Sequence, residues 1–108
     1  MLQNSYGTFY GSNEAIYGKF GEGLKLIRRE LKLTQADVAE LAEIPRTRYS
    51  EYENAKRLPT DKVYDRLTAS LRTLGVDNES LTALTERREK AINAANNFTV
   101  GRIRRLAP

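Results

Sequence analysis

The sequence predicts an all-α fold of five helices for this 108-residue chain. Three observations carry that expectation. Apolar residues recur at three- and four-residue spacing in two stretches, Phe20, Leu24, Ile27, Leu31 and then Val63, Leu67, Leu71, Leu74. Residues suited to helix ends stand at the boundaries: Thr34 with Asp37 three positions on, Thr60 before Asp61, and Gly75 after Leu74. Two-residue alternation of the kind a half-buried strand shows is only weak and is confined to residues 98–106.

Residues 1–18 are rich in Tyr, Gly, Asn and Ser and keep no period, so they are expected to form a flexible, aromatic arm, part of which docks on the body or on a second subunit. The first helix starts at Phe20 and ends near Lys32. The second opens at Thr34, whose hydroxyl can accept from the free amides of the next turn, and Val38, Ala39 and Leu41 form its inner face. Pro45 fits the first turn of the third helix, where a missing N–H costs nothing, and Ile44, Tyr49 and Tyr52 give it an inner stripe. Residues 56–59 read as a basic loop. The fourth helix follows Thr60, and Asp77, Asn78, Glu79 and Ser80 open a fifth that runs to about Asn96. Its apolar stripe is thin: Leu81, Leu84, Ala91, Ile92 and Ala95, beside the charged run Glu86, Arg87, Arg88, Glu89, Lys90. Asn96 and Asn97 are expected to break it, leaving residues 98–106 as a strand, an arm or a disordered tail. Three segments follow: an arm at 1–18, a central domain at 19–75, and a C-terminal helix with a basic tail at 76–108.

Composition excludes much. The chain has no cysteine, hence no disulfide framework or thiolate metal site, which fits a reducing cytoplasm. It has no histidine, the commonest metal ligand and general base at neutral pH. No nucleophile–base pair, phosphate-cradling glycine loop or metal-ligand cluster is visible, so neither catalysis nor a cofactor is expected. No apolar run approaches a membrane span, and the N-terminus has no charged-then-apolar signal pattern. The net charge of +4 suits a polyanionic partner, although an ordinary basic protein fits the charge equally well.

The stretch from Thr34 to Asn54 reads as two short helices joined by a tight turn. The second has polar and cationic residues at its start and apolar residues on its inner side. Together with Phe20-Gly21, Leu24, Ile27-Arg28, Leu33-Thr34-Gln35, Val38-Ala39, Ile44, Tyr49-Ser50, Tyr52-Glu53-Asn54 and Pro59, it resembles the Cro/repressor-type (XRE-like) helix-turn-helix family. The resemblance covers residues 20–75, about half the chain. It implies an all-α, lambda-repressor-like five-helix domain that binds double-stranded DNA. Two residues depart from the family pattern. Ala55 stands where many members have Gly, and Pro45 stands where Ser or Thr often caps the helix.

The resemblance implies roles for individual side chains. Arg46, Thr47, Arg48, Ser50 and Glu51 fall at the positions that contact bases. Arg pairs with guanine O6 and N7, Thr can touch a thymine methyl, and a carboxylate can accept from cytosine N4. Thr34, Gln35, Asn54, Lys56 and Arg57 fall where the protein holds the phosphate backbone, which makes affinity salt-dependent. The alternatives are a solvated helix start, a solvated loop and, for Glu51, a salt bridge to Arg48. Arg28 and Glu53 occupy positions that pair the first and third helices and are assigned to structure, as Tyr49 and Tyr52 are to the core. Arg102, Arg104 and Arg105 have three open readings: phosphate contacts, an acidic protein partner, or a solvated tail.

The function expected on these grounds is that of a cytoplasmic transcriptional regulator of bacterial or phage origin. It would be a repressor that binds a near-palindromic DNA operator as a homodimer through the fifth helix and the arms. The alternative is an antitoxin, in which the same domain binds DNA and residues 1–18 or 76–108 hold a toxin protein.

Overall fold

The computed structural model describes the backbone of residues 2–106 and the side chains of residues 16–96. Five α-helices follow in order: α1 Leu2–Glu30, α2 Gln35–Leu41, α3 Arg46–Glu53, α4 Asp61–Thr73 and α5 Asn78–Leu106, with no strand among the described residues. α1 packs on both α3 and α5, α2 on α3, and α4 on α5.

One core joins all five helices. Phe20, Leu24 and Ile27 of α1 meet Val38 and Ala39 of α2, Tyr49 and Tyr52 of α3, Tyr64, Leu67 and Leu71 of α4, and Leu81 and Leu84 of α5. The first and last helices therefore share the core with the central domain, and the division expected after Gly75 is crossed by continuous packing. The Phe20 and Tyr64 rings lie tilted at 60° with centroids 6.0 Å apart, a favourable aromatic geometry.

Local chemistry explains where the helices start. The Thr34 hydroxyl accepts from the Asp37 amide at 3.1 Å while the Asp37 carboxylate accepts from the Thr34 amide at 3.0 Å, a reciprocal capping box. That bonding holds the exposed Asp37 carboxyl below its ordinary pKa. Thr60 caps α4 through the Val63 amide, and Asp77 accepts from the Ser80 amide at the start of α5.

The helix ends share one device. After α1, α2, α3 and α4 the chain turns through the left-handed region at Lys32, Glu43, Ala55 and Gly75. In each case the next amide reaches back to the carbonyl five residues earlier: Leu33 to Arg28, Ile44 to Ala39, Lys56 to Glu51, Val76 to Leu71. These are Schellman closures, and three of them use a residue with a side chain where glycine is favoured. Ala55 thus adopts the geometry expected of the family's Gly, with φ +62°.

Three expectations need correction. α1 begins at Leu2, not at Phe20, so the stretch read as an irregular arm is helical backbone continuous with the core helix. Half-buried Ile16 and Tyr17 carry its apolar stripe upstream of Phe20, and glycine weakens a helix by only about 1 kcal/mol without forbidding it. α5 runs through Asn96 and Asn97 to Leu106 rather than breaking there, because asparagine is a modest helix former rather than a breaker. Leu41, expected on the inner face of α2, is 46% exposed, and Ala42 takes its place in the core. Four residues after Val38 the helix returns to the buried side; three residues after it falls short.

Candidate nucleic-acid interface

The turn between α2 and α3 is anchored from below. Ala42 and Ile44 are buried. From α4, the Ser70 hydroxyl donates to the Leu41 carbonyl and the Arg66 guanidinium to that of Glu43, each at 3.4 Å. Pro45 is the N-cap of α3 rather than its first residue, and it supplies no side-chain cap.

α3 is two-faced. Tyr49, Tyr52 and Glu53 are buried, whereas Arg46, Thr47 and Arg48 are exposed and Ser50 and Glu51 are half-buried. The two tyrosines are core residues, as expected. The helix can approach α1 closely because Gly21 faces its C-terminal end: a Cβ there would lie 2.5 Å from the Glu53 carbonyl oxygen and 3.0 Å from that of Tyr52.

The back of α3 is fixed by a buried polar cluster. Arg28 donates twice to Glu53, from Nε at 2.7 Å and from Nη2 at 3.0 Å, and from Nη1 to the Leu33 carbonyl at 2.9 Å. Gln35 Nε2 donates to Glu53 Oε1 at 2.9 Å. The Glu53 side chain is wholly buried. Burial opposes its ionisation, but the bonds from Arg28 and Gln35 outweigh that and hold its carboxyl below the ordinary range. The bond to Glu53 raises the Arg28 pKa further. The Tyr49 hydroxyl is buried in the same region without a well-formed hydrogen bond, and burial, then the Glu53 carboxylate, push its pKa far above that of a free phenol.

The front of α3 holds a second cluster. Arg48 Nε and Arg57 Nε approach the same Glu51 oxygen, Oε1, at 3.2 and 3.1 Å. Asn54 Nδ2 donates to the Ser50 hydroxyl at 3.1 Å.

The twelve side chains singled out in the sequence therefore divide. Arg28, Gln35 and Glu53 converge behind α3. Gln35, expected on a phosphate, has one amide proton committed to Glu53; its second N–H and its carbonyl oxygen have no bond to that cluster. Arg48, Ser50, Glu51, Asn54 and Arg57 gather along the front, and Arg46, Thr47 and Lys56 extend the exposed surface at either end. Thr34 caps α2 and is itself exposed. The side chains of Arg102, Arg104 and Arg105, and those of the arm up to residue 15, lie outside the described residues.

Sequence reasoning missed Arg88. It is 7% exposed, donates from Nε and Nη2 to the Pro59 carbonyl at 3.1 and 2.9 Å, pairs with Asp61 at 2.7 Å, and lies 4.9 Å from the Tyr64 ring centroid. It ties α5 to the loop that carries Lys56 and Arg57. The signal was present: Leu81, Leu84, Arg88 and Ala91 follow a three-four-three spacing, so Arg88 falls on the buried stripe of α5 rather than in the solvated charge run.

An all-α domain in which two short helices meet at a tight turn, the second buried behind and cationic in front, defines a helix-turn-helix protein. The family model described as a helix-turn-helix domain matches residues 21–87, more than half of the chain, and the chain belongs to that family. Its five helices are consistent with the lambda-repressor-like architecture. The match extends past Gly75 to Arg87, which agrees with the packing of α5 into the common core. Neither a search of curated proteins nor a search of solved structures returned a match. Membership places the chain among DNA-binding proteins, whose second motif helix enters the major groove. Among the described residues no helix is long and apolar enough to cross a membrane, and no cluster of acidic side chains has metal-binding geometry.

Proposed function

We propose that this protein is a sequence-specific transcriptional regulator of the Cro/repressor (XRE-like) type, a repressor that acts as a homodimer on a near-palindromic operator and is not an enzyme. The observation that carries the reading is the contrast across α3. Arg46, Thr47 and Arg48 are exposed at its start, while its back is fixed to α1 by the Arg28–Glu53 pair. A rigid helix with exposed cationic and hydroxyl groups in its first turn can present them to base edges. Lys56 and Arg57 beyond its end, and Thr34 and Gln35 at the start of α2, flank that surface where phosphates would pass. Two-fold pairing would set two α3 helices about 34 Å apart, one turn of DNA.

Selection of sites from random duplex DNA tests this. The expected outcome is a half-site repeated at about one helical turn, with affinity falling steeply with salt and Arg46→Ala costing about 1–3 kcal/mol. Recovery of no preferred sequence would overturn it.

The antitoxin reading stays open on one observation: α1 and α5 both extend beyond the matched residues 21–87, to Leu2 and Leu106. A toxin partner would give a stable stoichiometric complex and lie in a neighbouring gene. Isolation from its host as a homodimer alone favours the regulator.

A further inference from the structure

We infer that Glu51 is a built-in substitute for phosphate, which engages Arg48 and Arg57 together in the free protein, offsets one of their two positive charges and suppresses binding to DNA of the wrong sequence. The inference rests on the DNA-binding reading above and concerns how that surface discriminates.

The geometry is specific. Arg48 belongs to the first turn of α3, and Arg57 to the loop after that helix. Glu51 takes both guanidinium Nε atoms on one oxygen, at 3.2 and 3.1 Å. A single carboxylate thus spans the two parts of the surface that would meet base edges and backbone. All three side chains are substantially open to water, at 48%, 34% and 48% exposure for Arg48, Glu51 and Arg57. Ion pairs so exposed contribute little to stability, so a phosphate oxygen can displace the carboxylate at small cost.

That exchange is unequal between sites. On arbitrary DNA the carboxylate keeps part of the positive charge engaged, or else is pushed out against the phosphates with nothing to bond. Sequence-independent affinity scales with the cations free to displace counterions, so it is lowered either way. At a site that offers a donor, such as a cytosine N4 amino group, the carboxylate is satisfied and both arginines are released to guanine or phosphate. The penalty then falls on the wrong sequences alone.

The test is binding of the full chain to a random-sequence duplex across a salt series, read by fluorescence anisotropy. E51Q should bind about tenfold tighter than the wild type at low salt, and its log–log salt slope should steepen by about 1, the single charge that the carboxylate had offset. E51S, too short to reach either guanidinium, must act in the same direction. In the R48Q/R57Q background the gain from E51Q should fall below about twofold, because no masked cation remains. Unchanged or weaker binding by E51Q and E51S overturns the inference. So does an equal gain in the R48Q/R57Q background, which would reduce Glu51 to plain repulsion of phosphates. If the wild type and the variants bind no duplex at any salt, the DNA-binding reading itself falls, and this inference with it.

Discussion

Arg28 and Glu53, 25 positions apart, meet through two hydrogen bonds of 2.7 and 3.0 Å with the carboxylate wholly withdrawn from water. The pair fixes α3 to α1, and Gln35 adds the start of α2 to the same carboxylate. Removing one partner leaves a buried charge uncompensated. Arg28→Ala is expected to cost about 3–5 kcal/mol of unfolding free energy, measured by urea denaturation. The double variant Arg28→Met/Glu53→Leu should cost clearly less than the two single changes together, since it removes both charges. Additive losses would show that the two residues are not coupled.

The same carboxyl predicts an acid dependence. Its folded pKa is depressed, so its contribution is fully present above the ordinary glutamate value of about 4.3 and is lost as pH falls through the lower folded value. Wild-type stability should therefore decline below about pH 4, and in Glu53→Gln that part of the decline should be absent. Parallel curves for the two proteins would assign acid sensitivity elsewhere.

Gly21 sets the distance between α1 and α3. A methyl group would be driven against backbone oxygens of Glu53 and Tyr52, which cannot rotate away as a side chain can. Gly21→Ala should destabilise by about 1–3 kcal/mol in thermal melts and weaken DNA binding beyond the loss of folded fraction, because α3 must shift. A neutral Gly21→Ala would show that the helices separate freely.

Lys32 is exposed and takes φ +59° to close the end of α1. The left-handed region costs a residue with a Cβ about 1–2 kcal/mol, partly offset by glycine's greater unfolded freedom. Lys32→Gly should stabilise by about 0.5–1 kcal/mol on balance, visible as a higher Tm without loss of helical circular dichroism. A lower Tm would mean that the lysine side chain contributes packing at that turn.

Arg88 holds the carbonyl of Pro59 from α5. Arg88→Met fills similar space but leaves that buried oxygen unpaired, at about 1–3 kcal/mol. Hydrogen exchange should accelerate through residues 54–60, where Lys56 and Arg57 sit, more than through α2. Uniform acceleration would mean that Arg88 stabilises the whole core rather than this loop.

Much of the fold was legible in the sequence because short-range rules fix it. Thr34 with Asp37, Thr60, Asp77 and Gly75 mark helix ends through bonds within a few residues, and the apolar spacing around Leu24, Leu67 and Leu84 records which faces are buried. The family pattern placed Arg28 opposite Glu53 before any distance was known. It also placed Arg46 and Thr47 at the exposed start of α3, where the structure has them. The ends of α1 and α5 were misread because Gly, Tyr and Asn carry weak local preferences, which a continuous helix overrides.

Tertiary structure alone decided what the charged residues do. Arg87 and Arg88 are neighbours in one charge run. Arg88 points into the core, to Pro59 and Asp61, while Arg87 stays exposed and donates to the Lys19 carbonyl. Gln35 donates to Glu53 because the packing of α2 on α3 brings that carboxylate within reach. Glu51 gains Arg57 as a partner because the left-handed turn at Ala55 folds the loop back beside α3. A charge takes its role from the partner that folding delivers, often tens of residues away, whereas a helix takes its limits from neighbours within one turn. The sequence by itself therefore determined the number and order of the five helices, and only the packed structure decided which charges of the motif brace it and which lie at its surface.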